Sequence, residues 1–338
     1  MNHNVFFLLF LICCKGLNLS SRSKKRSSTE SSSLRFALNR ELVVGDQVAT
    51  AVGPLKVEAV LGSGSYGKVL KALWVTKNQF VALKVEKPQS VSKCIIGNAP
   101  EGYLTIEHEW RMMEAMNRTD GFPLVYTSNF SGKYKYYVMQ MLGKTLSSIR
   151  KSSPEKRIKT RQLIHYAHQM LDRIEALHNR DALMYDIHLG NFLVDSSDKV
   201  FVIDLGMAIP FRYKNGKHVN NGRGTVPNTC KNAYYVSRND GLEKAVSRRD
   251  DLERLFYLLV DLSINSLPWK DAKDWEQRQA IKRSSKSSDI CVHEAQWLQP
   301  ALDHVFSLGF TEKPNYRLLH DIFDDRLAQL NLVRKMLR

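Results

Sequence analysis

Cysteine is scarce in this chain: five in 338 residues, at positions 13, 14, 94, 230 and 291, with no pair spaced as CxxC. A scattered, odd-numbered set excludes a disulfide framework and a thiolate zinc site, and reduced thiols suit a cytosolic protein. Long hydrophobic runs are also missing. The run at 5–14, VFFLLFLICC, has ten residues, half of the roughly 20 that a membrane-spanning helix needs. It suits the apolar region of a secretory signal, and Cys14 and Gly16 are small enough for cleavage. No Lys or Arg precedes it, however, while Lys15, Arg22, Lys24, Lys25 and Arg26 follow. That asymmetry would keep the downstream chain in the cytosol if the run anchors at all. Cytoplasmic or nuclear residence is therefore the expectation, and the secretory pathway the alternative if 5–14 is a genuine signal. Residues 19–35 have almost nothing apolar to bury, so an apolar segment (1–17) and a disordered Ser/Arg/Lys-rich linker (18–47) are expected. Acidic residues are absent from 205–239, which carries Arg212, Lys214, Lys217, Arg223, Lys231 and Arg238.

The composition is otherwise globular, 43% hydrophobic and 25% charged, enough for one two-lobed domain or two small ones. The net charge of +16 points to an acidic or phosphorylated partner, or to nucleic acid. The nucleic-acid reading rests on charge alone, with no recognised module behind it.

Residues 57–61 and 69–74 read as strands joined by Gly62-Ser63-Gly64-Ser65-Tyr66-Gly67. A glycine-rich turn between two strands, rather than before a helix, argues against a dinucleotide-binding unit; its bare backbone can instead lie close to nucleotide phosphates. A third strand, 80–86, carries Lys84 among apolar residues, where a half-buried ammonium needs a carboxylate or phosphate. The next helix, 102–117, offers Glu107 and Glu109. From Glu109 the positions at +3, +4 and +7 are Met112, Met113 and Met116, so Glu109 borders the buried face and is preferred as the partner. A hairpin follows over 124–129 and 134–140, ending at Gln140-Met141-Leu142-Gly143, a short connection between a mostly-β part and a helical one. Leu163, Ile164, Ala167, Met170, Leu171, Ile174 and Leu177 recur at helical spacing. His165 and His168 on that helix read as surface histidines, since nothing nearby completes a metal site.

The stretch 182–208 concentrates the chemistry. Apolar runs at 192–194 and 200–203 flank the turn Asp195-Ser196-Ser197-Asp198, giving a hairpin with Asp186 and Asn191 before it and Asp204 after it. Two carboxylates and a carboxamide are oxygen ligands for a hard divalent cation, and a carboxylate left over can accept a proton. Further helices are expected over 251–260, 273–283, 293–308 and 316–336, and the basic run 282–286 reads as a solvated loop.

Glycine turn, Lys84, Glu109, Asp186 with Asn191 five residues on, and Asp204-Leu205-Gly206 occur in the order of the eukaryotic protein kinases. More narrowly the chain resembles the casein kinase I family, including its tau-tubulin-kinase-like relatives. LGSGSYGKV at 61–69, MLGKTLSSI at 141–149, GNFLVD at 190–195, SRRDDLERL at 247–255, SLPW at 266–269 and LGFTEKPNY at 308–316 carry the likeness. The resemblance implies an α+β, two-lobed fold over 48–330, with a small mostly-β lobe holding one helix (48–142) and a larger, mostly helical lobe (143–330). Only a short end (331–338) follows, so autoinhibition by a long tail is not expected. It implies ATP and Mg²⁺, with Lys84, fixed by Glu109, on the α- and β-phosphates. Leu61, Gly62, Ser63, Gly64, Ser65, Gly67, Val69, Ala82, Met139, Gln140, Leu142 and Leu193 would surround the nucleotide. Asn191 and Asp204 would hold the metal, Asp186 would deprotonate the acceptor hydroxyl, and Asp251 would brace the catalytic loop. The implied activity is Ser/Thr phosphorylation of acidic protein substrates by a monomer.

The chain departs from that family at several positions. Met184-Tyr185-Asp186 stands for His-Arg-Asp, removing the arginine that pairs with a phosphorylated activation loop. His188 replaces a lysine that touches the transferring phosphate, which implies a loss on the order of 10- to 1,000-fold in rate and a slot among the catalytic positions. Leu205 replaces phenylalanine. Tyr234 stands for an arginine that reads a primed phosphate, and an insertion follows Gly224-Thr225. Met184, Tyr185, His188 and Leu189 motivate the alternative, a catalytically impaired pseudokinase that binds nucleotide or partners.

Overall fold

The computed structural model describes residues 41–64, 67–86, 105–131, 134–213, 215–220, 234–241 and 245–336. The apolar run 5–14, the expected linker up to residue 40, Ser65 of the glycine turn, and Lys214, Arg223 and Lys231 lie outside them. The chain divides into two units, one ending at Leu142 and one made of Thr119–Phe122 and the chain from Gly143 on.

The first unit is a six-stranded antiparallel sheet. Its strands are β1 (Gln47–Thr50), β2 (Gly53–Ser63), β3 (Gly67–Trp74), β4 (Gln79–Glu86), β5 (Val125–Asn129) and β6 (Tyr136–Gln140), in the order β1-β2-β3-β4-β6-β5. Because side chains alternate along a strand, the sheet sorts its residues by parity. Leu55, Val57, Leu70, Ala72, Trp74, Val81, Leu83, Val85, Tyr136 and Val138 form the core on one face. Leu42 is buried in that same core, so the packed structure begins inside the segment expected to be linker. On the other face Ala82, Tyr137 and Met139 cluster with Ile106 of helix α1 (Ile106–Ala115), and Val69 packs against them. The helix is shorter than the expected 102–117. Thr105 caps it by accepting a hydrogen bond from the His108 N–H at 3.1 Å, and Met116 already lies at its C-cap.

In the second unit α2 (Leu146–Ser152) and α3 (Thr160–His178) precede a hairpin of β9 (Phe192–Val194) and β10 (Val200–Val202), joined on its β9 side by β7 (Lys144–Thr145). The short strands β8 (Ala182–Leu183) and β11 (Ile209–Pro210) pair with each other. Gly143 lies so close to β9 that a Cβ there would collide with the Val194 carbonyl oxygen, which explains the glycine. The centre is α4 (Arg248–Ile264), longer at both ends than the expected 251–260 and buried at every position but Arg249 and Ile264.

Three expectations are corrected here. Lys282 is not in a solvated loop: it lies in the last turn of α5 (Trp275–Ser284) and is fully buried, its Nζ donating to the Val236 carbonyl at 2.7 Å and lying 4.9 Å from the Trp269 ring. Burial pushes its pKa down to about 7. The single helix expected over 293–308 is instead a 3₁₀ turn (His293–Leu298) followed, after the short α6 (Ser287–Ile290) earlier in the chain, by α7 (Gln299–Ser307). Pro300 lies in the first turn of α7, where its missing N–H costs nothing but would break a continuing helix. His168 is not a plain surface residue: its ring stacks on His320 of α8 (Tyr316–Met336) at 5.1 Å and 9°, while His165 is exposed as expected. Among the described residues no helix is long and apolar enough to cross a membrane.

Candidate active site

In the first unit the sheet's parity puts Lys84 on the helix-bearing face. Lys84 lies opposite Val69 on one side and Tyr137 on the other. Its Nζ meets both carboxylate oxygens of Glu109 at 2.6 Å, and the two side chains are almost fully buried. Glu107 instead pairs with Arg111 one helical turn on, at 2.6 Å, and is only half-buried. The Tyr137 hydroxyl donates to Glu109 Oε1 at 2.7 Å. That third partner fixes the carboxylate from the strand side, and the chain's pattern alone does not flag it. Its signal was parity: Tyr137 shares the face of Ala82 and Lys84, while the apolar residues between them fill the opposite core.

The glycine turn closes with the Gly64 N–H donating to the Gly67 carbonyl at 2.9 Å. Gly62 and Gly64 have open space where a Cβ would stand, so bulk is kept away from this turn although nothing among the described residues demands it. Gly67 has a packing reason, since a Cβ there would collide with the Val85 carbonyl. Leu61 is exposed; Ser63 ends β2. Val69, Ala82 and Met139 share one apolar cluster. Gln140 is pinned to Leu124 twice, by its backbone N–H at 2.8 Å and by its side-chain oxygen at 3.2 Å, and half-buried Leu142 closes the unit.

The second unit holds Asp186, His188, Asn191 and Asp204. Asn191 is buried, and its Nδ2 donates to the Asp186 carbonyl at 3.0 Å and approaches Asp186 Oδ2 at 3.5 Å. With the nitrogen so engaged, the amide oxygen is the atom left to face a cation. Asp204 has a left-handed backbone (φ 59°), and its Oδ1 accepts from the Gly206 N–H at 3.3 Å. Carboxylate and carboxamide together give only oxygen donors. That set fits Mg²⁺, which takes one or two protein ligands and completes its shell with water and phosphate. Leu193 sits two residues beyond Asn191 in β9, half-buried.

His188 Nε2 lies 3.5 Å from Asp186 Oδ2, and its Nδ1 accepts from the Gly190 N–H at 3.0 Å. The backbone donor makes Nδ1 the acceptor, so the ring proton belongs on Nε2, facing Asp186. A Cβ at Gly190 would come within 2.8 Å of the His188 ring, so the two residues fit only as a pair. Burial pushes the imidazole's pKa down, but the Asp186 hydrogen bond and the charges of Asp186 and Asp204 outweigh it. The net shift is upward from 6.5.

The backbone that carries Asp186 is strained and held. Tyr185 is left-handed at φ 64°, a conformation that costs a bulky residue on the order of 1–3 kcal/mol. Asp251, from the buried α4, accepts the Met184 N–H at 2.7 Å and the Tyr185 N–H at 3.1 Å. Met184 is fully buried. His178 reaches the same carboxylate with Nε2 at 3.2 Å, and its Nδ1 lies 2.6 Å from the Tyr316 hydroxyl. Burial pushes the His178 pKa down; burial alone would raise that of Asp251, but the His178 hydrogen bond and neighbouring charges hold that carboxyl below the usual carboxylate range.

The basic segment is less free than its charge count implies. Arg212 pairs with Asp181 at 3.2 Å, and Arg238 pairs with Glu253 at 3.3 Å while lying 3.3 Å over the Phe306 ring. Lys217 is exposed. Tyr234 is half-buried, and its carbonyl accepts the Trp269 indole N–H at 2.9 Å.

Comparison with known proteins places this geometry. Residues 55–318 match the family described as Protein kinase domain. Casein kinase I homolog 2 of Schizosaccharomyces pombe is 28% identical over 285 residues, which cover 80% of this chain and 62% of that protein. A probable casein kinase I homolog of Encephalitozoon cuniculi is 30% identical over 277 residues, covering 78% of this chain and 82% of the relative. The chain thus spans about three-fifths of the fission-yeast relative and most of the microsporidian one. Among solved structures, that of vaccinia related kinase 3 aligns with a TM-score of 0.70 at 22% identity, covering 90% of this chain and 97% of the other, a likeness of fold.

Proposed function

The chain belongs to the protein kinase family, casein kinase I-like, and from that premise we propose that it is a Ser/Thr protein kinase. It transfers the γ-phosphate of ATP to Ser or Thr hydroxyls of acidic protein substrates. The observation that carries the proposal is the pair of intact constellations: Lys84–Glu109–Tyr137 in one unit, and Asp186 with Asn191 and Asp204 in the other. Lys84, its position fixed by Glu109, supplies the fixed cation for the α- and β-phosphates. Asn191 and Asp204 would hold Mg²⁺, which when bound neutralises charge on the phosphates. Both side-chain contacts of Asp186 fall on Oδ2, which leaves Oδ1 to take the proton of the acceptor hydroxyl. Phosphoryl transfer asks the protein mainly for positioning and electrostatics, so this short set of groups suffices. The acid-free segment 205–239 and exposed Lys217 support an acidic substrate class.

The test incubates the purified chain with labelled ATP, Mg²⁺ and casein, beside Asp204→Ala. Label on casein that disappears in the variant is the expected result. Nucleotide binding with no transfer above the Asp204→Ala background sinks the kinase reading in favour of a binding module.

A further inference from the structure

Tyr185 stands where the resembling family has arginine, and its surroundings show where a guanidinium has gone instead. Arg254, three residues after Asp251 on α4, is buried, and its ring-side neighbour is Tyr185, at 4.4 Å from guanidinium to ring centroid. One Nη donates to both oxygens of Asp240 at 2.9 Å, and the other donates to Asp251 Oδ1 at 3.0 Å. The two carboxylates hold different segments. Asp251 binds the backbone of the loop that carries Asp186. Asp240 accepts the Ser237 N–H at 2.7 Å and hydroxyl at 3.0 Å, fixing the segment 234–241 that ends the basic stretch, and the Tyr185 hydroxyl reaches it at 3.4 Å.

We propose that Arg254, Asp240 and Tyr185 form a positioning unit that aligns the Asp186 loop with the 234–241 segment without any phosphorylated residue. One buried cation sits between two buried carboxylates, so removing it leaves like charges facing each other in low dielectric. An arginine at 185 would bring a second guanidinium against Arg254, which the tyrosine ring replaces with an attractive face. The arrangement therefore sets the loop on folding, through contacts among the described residues alone. Arg254 and Asp240 act through Asp251 and Ser237 and not on the reacting atoms.

This inference rests on the kinase reading above, and its test separates the two. The full chain, treated with a broad-specificity phosphatase that is then removed, is assayed with casein, Mg²⁺ and ATP beside untreated protein, Asp240→Asn and Tyr185→Leu. Phosphatase-treated protein is expected to keep its rate. Each variant is expected to lose about 10- to 100-fold in kcat, with its KM for ATP within about threefold of the parent, because loop placement fails while the Lys84 region is untouched. Loss of activity on phosphatase treatment overturns the proposal. So does a folded variant with unchanged kcat, or a kcat loss fully accounted for by the unfolded fraction at the assay temperature. Failure of the untreated protein to label casein overturns the kinase reading itself.

Discussion

At position 188 one imidazole faces a proton acceptor with Nε2 and a backbone donor with Nδ1. The Gly190 N–H disfavours a second proton on the ring, while the carboxylates of Asp186 and Asp204 favour it, with the net shift upward. On the proposed kinase reading, protonated His188 is a cation beside the carboxylate that takes the acceptor's proton, and the neutral ring is only a dipole. His188→Lys is therefore expected to raise kcat by about tenfold at pH 8, with the ratio of variant to parent shrinking toward pH 6 as the parent's imidazole charges. Steady-state rates at the two pH values check this, and a ratio at or below one at pH 8 refutes it. Single residues also mark where reading a chain succeeds and fails. The choice of Glu109 over Glu107 was legible, because the +3, +4 and +7 pattern records which side of a helix is buried. Lys282 was not. Its cavity is walled by Trp269 and Tyr257, so nothing among its chain neighbours announces the burial.

Among the elements, α4 does most to shape the site. Its buried Asp251 ties the Asp186 loop to α3 through His178, and His178 in turn to α8 through Tyr316. Burial depresses the His178 pKa, so the folded state binds fewer protons than the unfolded chain below the ordinary value of 6.5. Stability then rises with pH through that window and is lost as pH falls through it from 6.5 toward the lowered folded-state value. His178→Gln keeps one donor and one acceptor but cannot titrate. Its melting temperature is expected to change less between pH 7 and pH 5 than the parent's, whichever protein is more stable at pH 7. Parallel melts decide; equal slopes would falsify the assignment. Element positions were largely legible where a period was long and uninterrupted, as in α3 and α8. Boundaries failed where a single capping group decides them. Thr105 starts α1 late, and Pro300 permits a helix to begin but not to continue through it.

For the molecule as a whole, the charge of +16 overstates what is presented to a partner. Arg212 and Arg238 spend their charges on Asp181 and Glu253, and Lys282 is buried. Composition counts charges without seeing which are matched inside. Lys217, exposed in the acid-free segment, is one charge available to the acidic substrate class proposed above. Lys217→Glu is expected to raise the KM for casein by about 2- to 5-fold at low salt and to leave the KM for ATP unchanged. Initial-rate measurements over both substrates test it, and an unchanged KM for casein removes Lys217 from substrate binding. The anchoring of Met184 by Asp251 also has a temporal side. The carboxylate lies 67 residues downstream of the N–H it accepts. At roughly 5–20 residues per second of synthesis, the strained turn at Tyr185 is synthesised about 3–13 seconds before the group that holds it. The Asp186 turn of this protein is thus assembled retrospectively, by a helix translated after it, and each newborn chain passes through an interval in which that turn is spelled out but not yet shaped.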